Sequence, residues 1–237
     1  MRALVVVAHP EPVSFTWAMA HAAATALRDD DVEVEFSDLY GENFDPTASR
    51  SDFTTVADPD RFHYQTEQQY ASRNDGFSAE LQREQMRVER ADLLIFLFPI
   101  WWGAVPAILK GWFDRVLAYG FAYEDGMRYE TGYFAGRTGL LGVSTGGTKA
   151  RFSESGAYGT IDQVLWPTQH CMIEYMGLSA AAPFVAYASP RVSAEEREAY
   201  LREWAVRVRK AVQMQRETVT CRRRPLASST DWTGRSR

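Results

Sequence analysis

Residues 2–27 read RALVVVAHPEPVSFTWAMAHAAATAL, and this stretch decides the fold. Apolar and β-branched residues occupy successive positions of Arg2–Ala8, which is typical of a strand buried on both faces of a parallel sheet. Ser14 then stands where a helix N-cap is expected, and the alanine-rich segment Phe15–Leu27 follows it as the helix. A strand joined to a helix by a short loop is the repeating unit of an α/β fold.

The same alternation of strand and helix patterns continues along the chain. Further apolar runs predict four more strands, at Val32–Ser37, Leu93–Phe98, Thr138–Ser144 and Ser179–Tyr187. Helical periodicity predicts helices at Ser78–Arg90, Pro106–Leu117, Thr160–Met176 and Ala194–Gln213, with a proline at the first position of the second of these. The polar stretch Gly41–Asn74 shows no clear period. The pattern indicates an α/β, flavodoxin-like doubly wound domain, in which a five-stranded parallel sheet carries helices on both faces.

The composition is that of a globular chain, with 237 residues of which 46% are hydrophobic and 24% are charged. The formal net charge is −5, and residues 216–237 hold six arginines against two acidic residues, so residues 1–215 carry −9. We therefore expect one flavodoxin-like domain over residues 1–215, followed by a basic and flexible tail at 216–237. An acidic domain argues against a nucleic-acid partner.

Two further features bear on location. Cys171 and Cys221 are too few for a disulfide framework and form no Cys-x-x-Cys motif, so we expect a reduced, cytoplasmic setting. Residues 93–109 (LLIFLFPIWWGAVPAIL) carry no charge over 17 positions, which approaches the length of a membrane helix. Because Pro99 and Pro106 interrupt this run, it predicts a buried strand, a tight loop and a helix start, without membrane insertion.

Three loops follow the carboxyl ends of predicted strands, which a parallel sheet brings to one edge. The first, HPEPVSFT at residues 9–16, ends at a helix N-terminus, where free N–H groups and two hydroxyls suit a phosphate. In the second, Trp101 and Trp102 lie between prolines, and their indoles are large enough to flank a planar ring. The third, STGGT at residues 144–148, lets the backbone approach a flat ligand closely. Together the loops suit a flat aromatic cofactor that carries phosphate, and flavin fits best.

A competing motif lies in the third loop. Residues 142–146 (GVSTG) match the G-x-S-x-G nucleophile elbow of α/β-hydrolases at a strand end. The downstream histidine, His170, falls inside a predicted helix rather than after the fifth strand, so a Ser144 hydrolase is the weaker alternative. His170 and Cys171 lack the spacing of metal ligands, and we expect no metal site. The chain has neither a G-x-x-x-x-G-K-[ST] loop nor a G-x-G-x-x-G after the first strand.

Longer motifs occur between about residue 2 and residue 210. They are RALVVVAHPEPVSF, SDLY, FPIWWGAVPAILKGWFDRV, FAYE, STGG and LWPTQ. With these motifs the sequence resembles the NAD(P)H:quinone oxidoreductases of the DT-diaphorase type, in the flavodoxin-like superfamily. The AVPAILKGWFDRV block and the FP before it are the specific part of the resemblance.

The resemblance implies non-covalently bound FAD, with FMN as the less fitting flavin, in a homodimer whose substrate pocket lies at the subunit interface. It also implies a ping-pong mechanism, in which a hydride passes from NAD(P)H to the flavin and two electrons then pass to a quinone or related electrophile. The positions that correspond to flavin contacts are His9, Ser14, Phe15, Thr16, Ala18, Pro99, Ile100, Trp101, Trp102, Gly103, Ser144, Thr145, Gly146, Gly147 and, near the adenosine, Arg197. The positions that correspond to the substrate pocket are Trp102, Tyr123, Phe152, Tyr158 and Tyr175.

Four positions depart from the family pattern. Phe152 and Tyr158 stand where the family has a tyrosine and a histidine that stabilise charge on the reduced flavin. Phe152 has no hydroxyl, whereas Tyr158 can donate from its phenol, so Tyr158 is the candidate catalytic residue. Trp101 and Gly103 replace a glutamine and an aromatic residue of the animal enzymes, which widens the predicted pocket beside Trp102.

Two other roles stay open at the level of sequence. A related bacterial branch includes ancillary subunits of glutathione-gated potassium efflux systems, which bind flavin and work through a membrane partner. A one-electron carrier of the flavodoxin type would share both the fold and the flavin-binding loops, because fold alone does not determine function.

Overall fold

The computed structural model describes residues 1–223, and within that range six strands form one parallel sheet. The strands are β1 (Arg2–Val7), β2 (Glu33–Asp38), β3 (Leu93–Pro99), β4 (Thr138–Ser144), β5 (Ser179–Ala180) and β6 (Phe184–Ala186). The sheet order is β2-β1-β3-β4-β5, and β6 pairs with the end of β4, on the same side of β4 as β5. This order and the parallel pairing confirm the predicted flavodoxin-like α/β fold.

Six α-helices lie within the described range. They are α1 (Phe15–Asp29), α2 (Tyr64–Arg73), α3 (Ala79–Arg90), α4 (Ala107–Val116), α5 (Ile161–Thr168) and α6 (Ala194–Arg223). Ser14 caps α1 as the sequence predicts, with its hydroxyl accepting a hydrogen bond from the backbone N–H of Trp17. None of the helices in residues 1–223 combines the length and apolar character that a bilayer crossing requires.

The edge strand departs from the prediction of one continuous strand over Ser179–Tyr187. β5 pairs with Thr138 and Gly139 at the start of β4, and β6 pairs with residues 142–144 at its end. Pro183 precedes β6 and has no N–H to donate to a ladder. The single predicted strand is therefore wrong, and the sheet edge is made from two short segments.

Several helix predictions also differ from the structure. α2 lies inside the stretch 41–74, which has no clear period in sequence. Pro106 is the N-cap of α4 rather than its first residue. The helix predicted over Thr160–Met176 consists of α5, a π-helical segment at Gln169–Ile173 and a 3₁₀ turn.

The last helix is longer than predicted. α6 runs for 30 residues and passes through residue 215, the predicted end of the domain. Residues 216–223 of the expected tail are therefore helical. Residues 224–237 lie outside the described part of the chain, and the prediction of a flexible tail stays a prediction there.

Two apolar layers enclose the sheet. Alternate residues of β1 face opposite sides, so that Leu4 and Val6 pack in the layer of α3 and α4, whereas Val5 and Val7 pack against α1 and α6. Trp204 of α6 is fully buried and donates its indole N–H to the backbone carbonyl of Met19 in α1, at 2.9 Å. Between these layers, the carboxyl ends of β1, β3, β4 and β6 lie at one edge of the parallel sheet.

Candidate active site

The loop after β1 presents a donor-rich wall at this edge. The Nδ1 atom of His9 accepts a hydrogen bond from the backbone N–H of Glu11 at 3.0 Å, so the hydrogen of the neutral ring lies on Nε2. Burial lowers the pKa of His9 below its ordinary value, which keeps the ring neutral near pH 7. The N-terminus of α1 follows directly, and its positive end favours an anion.

Two buried hydroxyls join this loop to the end of β4. Thr16 and Ser144 are only 2% and 6% exposed, and their side-chain oxygens lie 3.2 Å apart. One hydroxyl donates to the other, so the contact holds the first and third loops together.

These loops enclose a first cavity of about 520 Å³. The residues predicted for the cofactor that line it are His9, Ser14, Phe15, Thr16, Pro99, Ile100, Trp101, Ser144, Thr145 and Gly146. Ser189 and Pro190, which follow β6, line it as well and were not predicted. The rule that parallel strands end at one edge applies to β6 too, and extending it to the last strand would have found both residues.

The tryptophan loop is a tight turn. Trp101 and Ala104 exchange two backbone hydrogen bonds of 3.0 Å, and Trp102 and Gly103 between them have φ values of 52° and 72°. Two successive left-handed residues define a type I′ turn, for which asparagine and glycine are the usual residues. The side chain of Trp102 is fully exposed, so a bulky residue is held in an unfavourable conformation without burial in the described chain.

The glycine loop after β4 packs against two further aromatic rings. A Cβ on Gly147 would lie 2.7 Å from a ring carbon of Phe152 and 3.1 Å from one of Tyr158, so glycine is required for their close approach. The two rings pack with centroids 5.1 Å apart. Phe152 is buried, and Tyr158 is exposed.

A second cavity of about 730 Å³ adjoins the first, because Ile100, Thr145 and Gly146 line both. The predicted residues Trp102, Gly103, Gly147, Phe152 and Tyr158 complete much of its wall. Arg151, Val164 and Arg191 also line it and were not predicted. The structure therefore brings most predicted cofactor residues and three predicted substrate residues into one continuous cleft.

Four predicted residues do not line this cleft. Tyr123 and Tyr175 pack against each other with ring centroids 5.6 Å apart and line a separate cavity of about 320 Å³. The backbone N–H of Ala18 donates to the carbonyl of Ser14 within α1. Arg197 donates Nη1 to the carbonyl of Val192 at 2.7 Å.

The geometry does not assemble a hydrolase triad from the described residues. The hydroxyl of Ser144 pairs with Thr16, whereas His170 pairs with Glu174 at 2.7 Å and packs against the rings of Trp166 and Tyr129. The match to G-x-S-x-G therefore reflects a glycine-containing strand end rather than an activated serine.

Known proteins are similar to this chain over most of its length. A family model described as "Flavodoxin-like fold" matches residues 1–208. The chain is 39% identical over 209 residues to ribosyldihydronicotinamide dehydrogenase [quinone] of Mus musculus, covering 88% of this chain and 90% of that protein. It is 40% identical over 208 residues to NAD(P)H dehydrogenase [quinone] 1 of Rattus norvegicus, covering 87% and 76%. The chain belongs to the NAD(P)H:quinone oxidoreductase family.

A solved structure extends the family match to three dimensions. A provisionally assigned quinone reductase from Klebsiella pneumoniae superposes with a TM-score of 0.86 at 34% identity, covering 90% of this chain and 85% of that one. The family model matches residues 1–208, and this range includes every loop of the cleft. The resemblance to the quinone oxidoreductase family that the sequence motifs indicate is confirmed.

Proposed function

We propose that this protein is an FAD-dependent NAD(P)H oxidoreductase that reduces quinones or related electrophiles by two electrons in a ping-pong mechanism. The observation that carries the proposal is the pair of adjoining cavities, one with phosphate-binding character and one lined by aromatic rings. Family membership supports the same activity, because the matched relatives are quinone dehydrogenases by name.

The residues of the first cavity fit the phosphate end of a flavin. The N–H of His9, the hydroxyl of Ser14 and the N-terminus of α1 supply hydrogen-bond donors and positive potential. This cavity of about 520 Å³ lies beside the ring-binding space and suits FAD and FMN alike, because both flavins carry a phosphate there. The support for FAD is the match of Arg197 to a family arginine near the adenosine.

The residues of the shared wall fit a flat ring system. Ile100 offers an apolar face, and Gly146 has open space over its Cα, with the nearest side-chain atom 3.9 Å from where a Cβ would lie. A flavin bound here would supply the centre that accepts and donates hydride. The protein's part is to bind the ring, orient it and exclude water from one side.

Tyr158 is the residue that we propose to act on developing charge. Its oxygen accepts a hydrogen bond of 2.9 Å from Nη1 of Arg151, which leaves the phenol O–H free to donate. The neighbouring Phe152 has no polar atom to share this task. Tyr158 therefore places a hydrogen-bond donor at the cleft wall. This donor can stabilise negative charge that develops during the reaction.

A homodimer completes the proposed substrate pocket. Trp102 is fully exposed on its strained turn, and Tyr123 and Tyr175 lie outside the cleft of their own chain. Contact with a second copy would cover Trp102 and bring the partner's surface against the 730 Å³ cavity.

We propose a cytoplasmic location for the protein. A reduced pyridine nucleotide as electron donor and a chain with only two cysteines support this location.

The test is to reconstitute the purified protein with flavin and measure its identity, stoichiometry and turnover. We expect one FAD per chain, tighter binding of FAD than of FMN, and NAD(P)H oxidation that depends on added quinone. Sedimentation of the same sample should give a dimer. Failure to bind flavin would contradict the proposal. Stoichiometric flavin without quinone-dependent oxidation of either nucleotide would also contradict it, and that result would favour the ancillary-subunit alternative.

A further inference from the structure

Two arginines on the wall of the 730 Å³ cavity have neutral rather than acidic partners. Arg151 donates Nη1 to the hydroxyl of Tyr158 at 2.9 Å, and Arg191 donates Nη1 to the backbone carbonyl of Gly146 at 2.6 Å. Within the described chain neither forms an ion pair. By contrast, Arg115 binds carboxylates of Asp52 and Glu80 at 2.7 Å each.

These two cations lie on a cavity wall of a protein whose net charge is negative. The whole chain carries a formal net charge of −5, yet among the residues that the structure describes the lining of this cavity holds two arginines and no acidic residue. Both side chains are exposed and both line the cavity, which puts their charge where the cavity opens to solvent. Such a local field raises the concentration of anionic ligands near the site and speeds their capture.

Each guanidinium is also held in place by its single hydrogen bond. One Nη1–H group is used in that bond, and the other N–H groups of the planar fork remain to bind an oxyanion. The hydrogen bonds reduce the side-chain freedom that ligand binding would otherwise remove. Arg191 is fixed to Gly146, which lines both cavities, whereas Arg151 is fixed to Tyr158, which lines the second cavity alone.

We propose that Arg151 and Arg191 form an anion subsite that selects substrates carrying a carboxylate, sulfonate or phosphate. This inference rests on the proposed oxidoreductase function and names the substrate class of its cleft. The oxyanion has two possible sources with the same chemistry. It is either an acidic substituent on the aromatic acceptor or the pyrophosphate of the nicotinamide donor.

The experiment compares matched charged and neutral substrates in arginine variants. The acceptor arm uses 1,4-naphthoquinone and its 2-sulfonate, and the donor arm uses NADH and N-benzyl-1,4-dihydronicotinamide, which has no phosphate. The variants are Arg151→Gln and Arg191→Gln, with Arg151→Lys and Arg191→Lys as charge-retaining partners. Arg202→Gln is the control, since Arg202 is an exposed arginine of α6 that does not line the cleft.

The measured quantity is the ratio of kcat/KM for the charged substrate to that for its neutral counterpart. One charge-assisted hydrogen bond corresponds to a roughly tenfold to hundredfold preference. We expect each glutamine variant to lose about tenfold or more of this ratio in one arm, the lysine variants to keep part of it, and added salt to reduce it in the wild type. The arm that responds identifies the source of the oxyanion.

A direct binding measurement separates this inference from the proposed function. Calorimetric titration of naphthalene-2-sulfonate should give weaker binding in both glutamine variants than in wild type and Arg202→Gln, whether or not the protein turns over quinones. Ratios and affinities that stay within twofold of wild type would overturn the proposal. So would a loss confined to flavin affinity, because the arginines would then belong to the cofactor site.

Discussion

The side-chain oxygens of Thr16 and Ser144 lie 3.2 Å apart across 128 residues of sequence. Thr16 belongs to the first turn of α1, and Ser144 ends β4. Both are almost fully buried, so their hydrogen bond ties the phosphate-binding loop to the glycine loop. Both residues line the 520 Å³ cavity, so the contact forms part of its wall.

Thr16→Val should therefore lower both stability and flavin affinity. The change leaves the Ser144 hydroxyl buried without its partner, and the free energy of unfolding should fall by about 1–3 kcal/mol. Urea unfolding of the flavin-free protein measures this. Thr25→Val is the matched control, because Thr25 is exposed on the same helix and its substitution should change stability by less than about 0.5 kcal/mol. Equal effects at the two positions would contradict the role assigned to the buried pair.

Trp102→Asn should stabilise the protein while impairing its activity. Asparagine tolerates the left-handed backbone of the type I′ turn, and relief of strain should raise the free energy of unfolding by about 1 kcal/mol. Activity should fall because the indole that faces the cavity is lost. Trp102→Phe retains the strain and should not be more stable than wild type. A stabilised Trp102→Phe variant would show that backbone conformation is not the cause.

Tyr158→Phe should slow reduction of bound flavin by NAD(P)H. The phenol is the proposed donor to developing charge, and the loss of such a donor costs about 10²–10³ in rate by analogy with oxyanion holes. Stopped-flow absorbance under anaerobic conditions measures the rate constant. Tyr200→Phe serves as control, since the Tyr200 hydroxyl binds the carbonyl of Tyr187 at 3.2 Å and does not line the cleft. An unchanged rate in Tyr158→Phe would remove Tyr158 from the mechanism.

His9 should make stability depend on pH in the mildly acidic range. Its pKa is lowered in the folded state mainly by burial, against an opposing contribution from Glu11. On acidification the unfolded chain therefore binds the proton first, and stability falls once the pH drops below the ordinary histidine pKa of about 6.5. When the pH is lowered from 7.5 to 5.5, we expect the urea midpoint of wild type to fall further than that of His9→Gln. A difference in urea midpoint that stays constant between pH 7.5 and pH 5.5 would contradict this role of His9.

The strands that the sequence predicts well are those with unambiguous burial. β1, β3 and β4 are continuous apolar runs, and burial on both faces demands that pattern. α2 escaped prediction because its sequence, YQTEQQYASR, is polar, and tertiary contacts hold it in place. Gln68 of α2 both donates to the carbonyl of Asp114 and accepts from the backbone N–H of Tyr119.

The candidate site also contains parts that the sequence predicts and parts that it does not. Loops after β1, β3 and β4 could be predicted because the strand ends before them are clear. Arg151 and Arg191 could not, because exposed arginines are common and only the fold shows which of them line a cavity. Tyr123 and Tyr175 were expected from the family resemblance, and the separate cavity that they line is a property of the three-dimensional chain.

The most direct test of the central claim is an anaerobic single-turnover experiment on the FAD-reconstituted protein. The cleft is proposed to support two-electron transfer, so addition of NADPH or NADH should bleach the flavin band in one phase without a semiquinone spectrum. Addition of a simple quinone should then restore the oxidised spectrum with one equivalent of acceptor. Persistent oxidised flavin with both nucleotides, or a stable semiquinone that returns one electron at a time, would contradict the account.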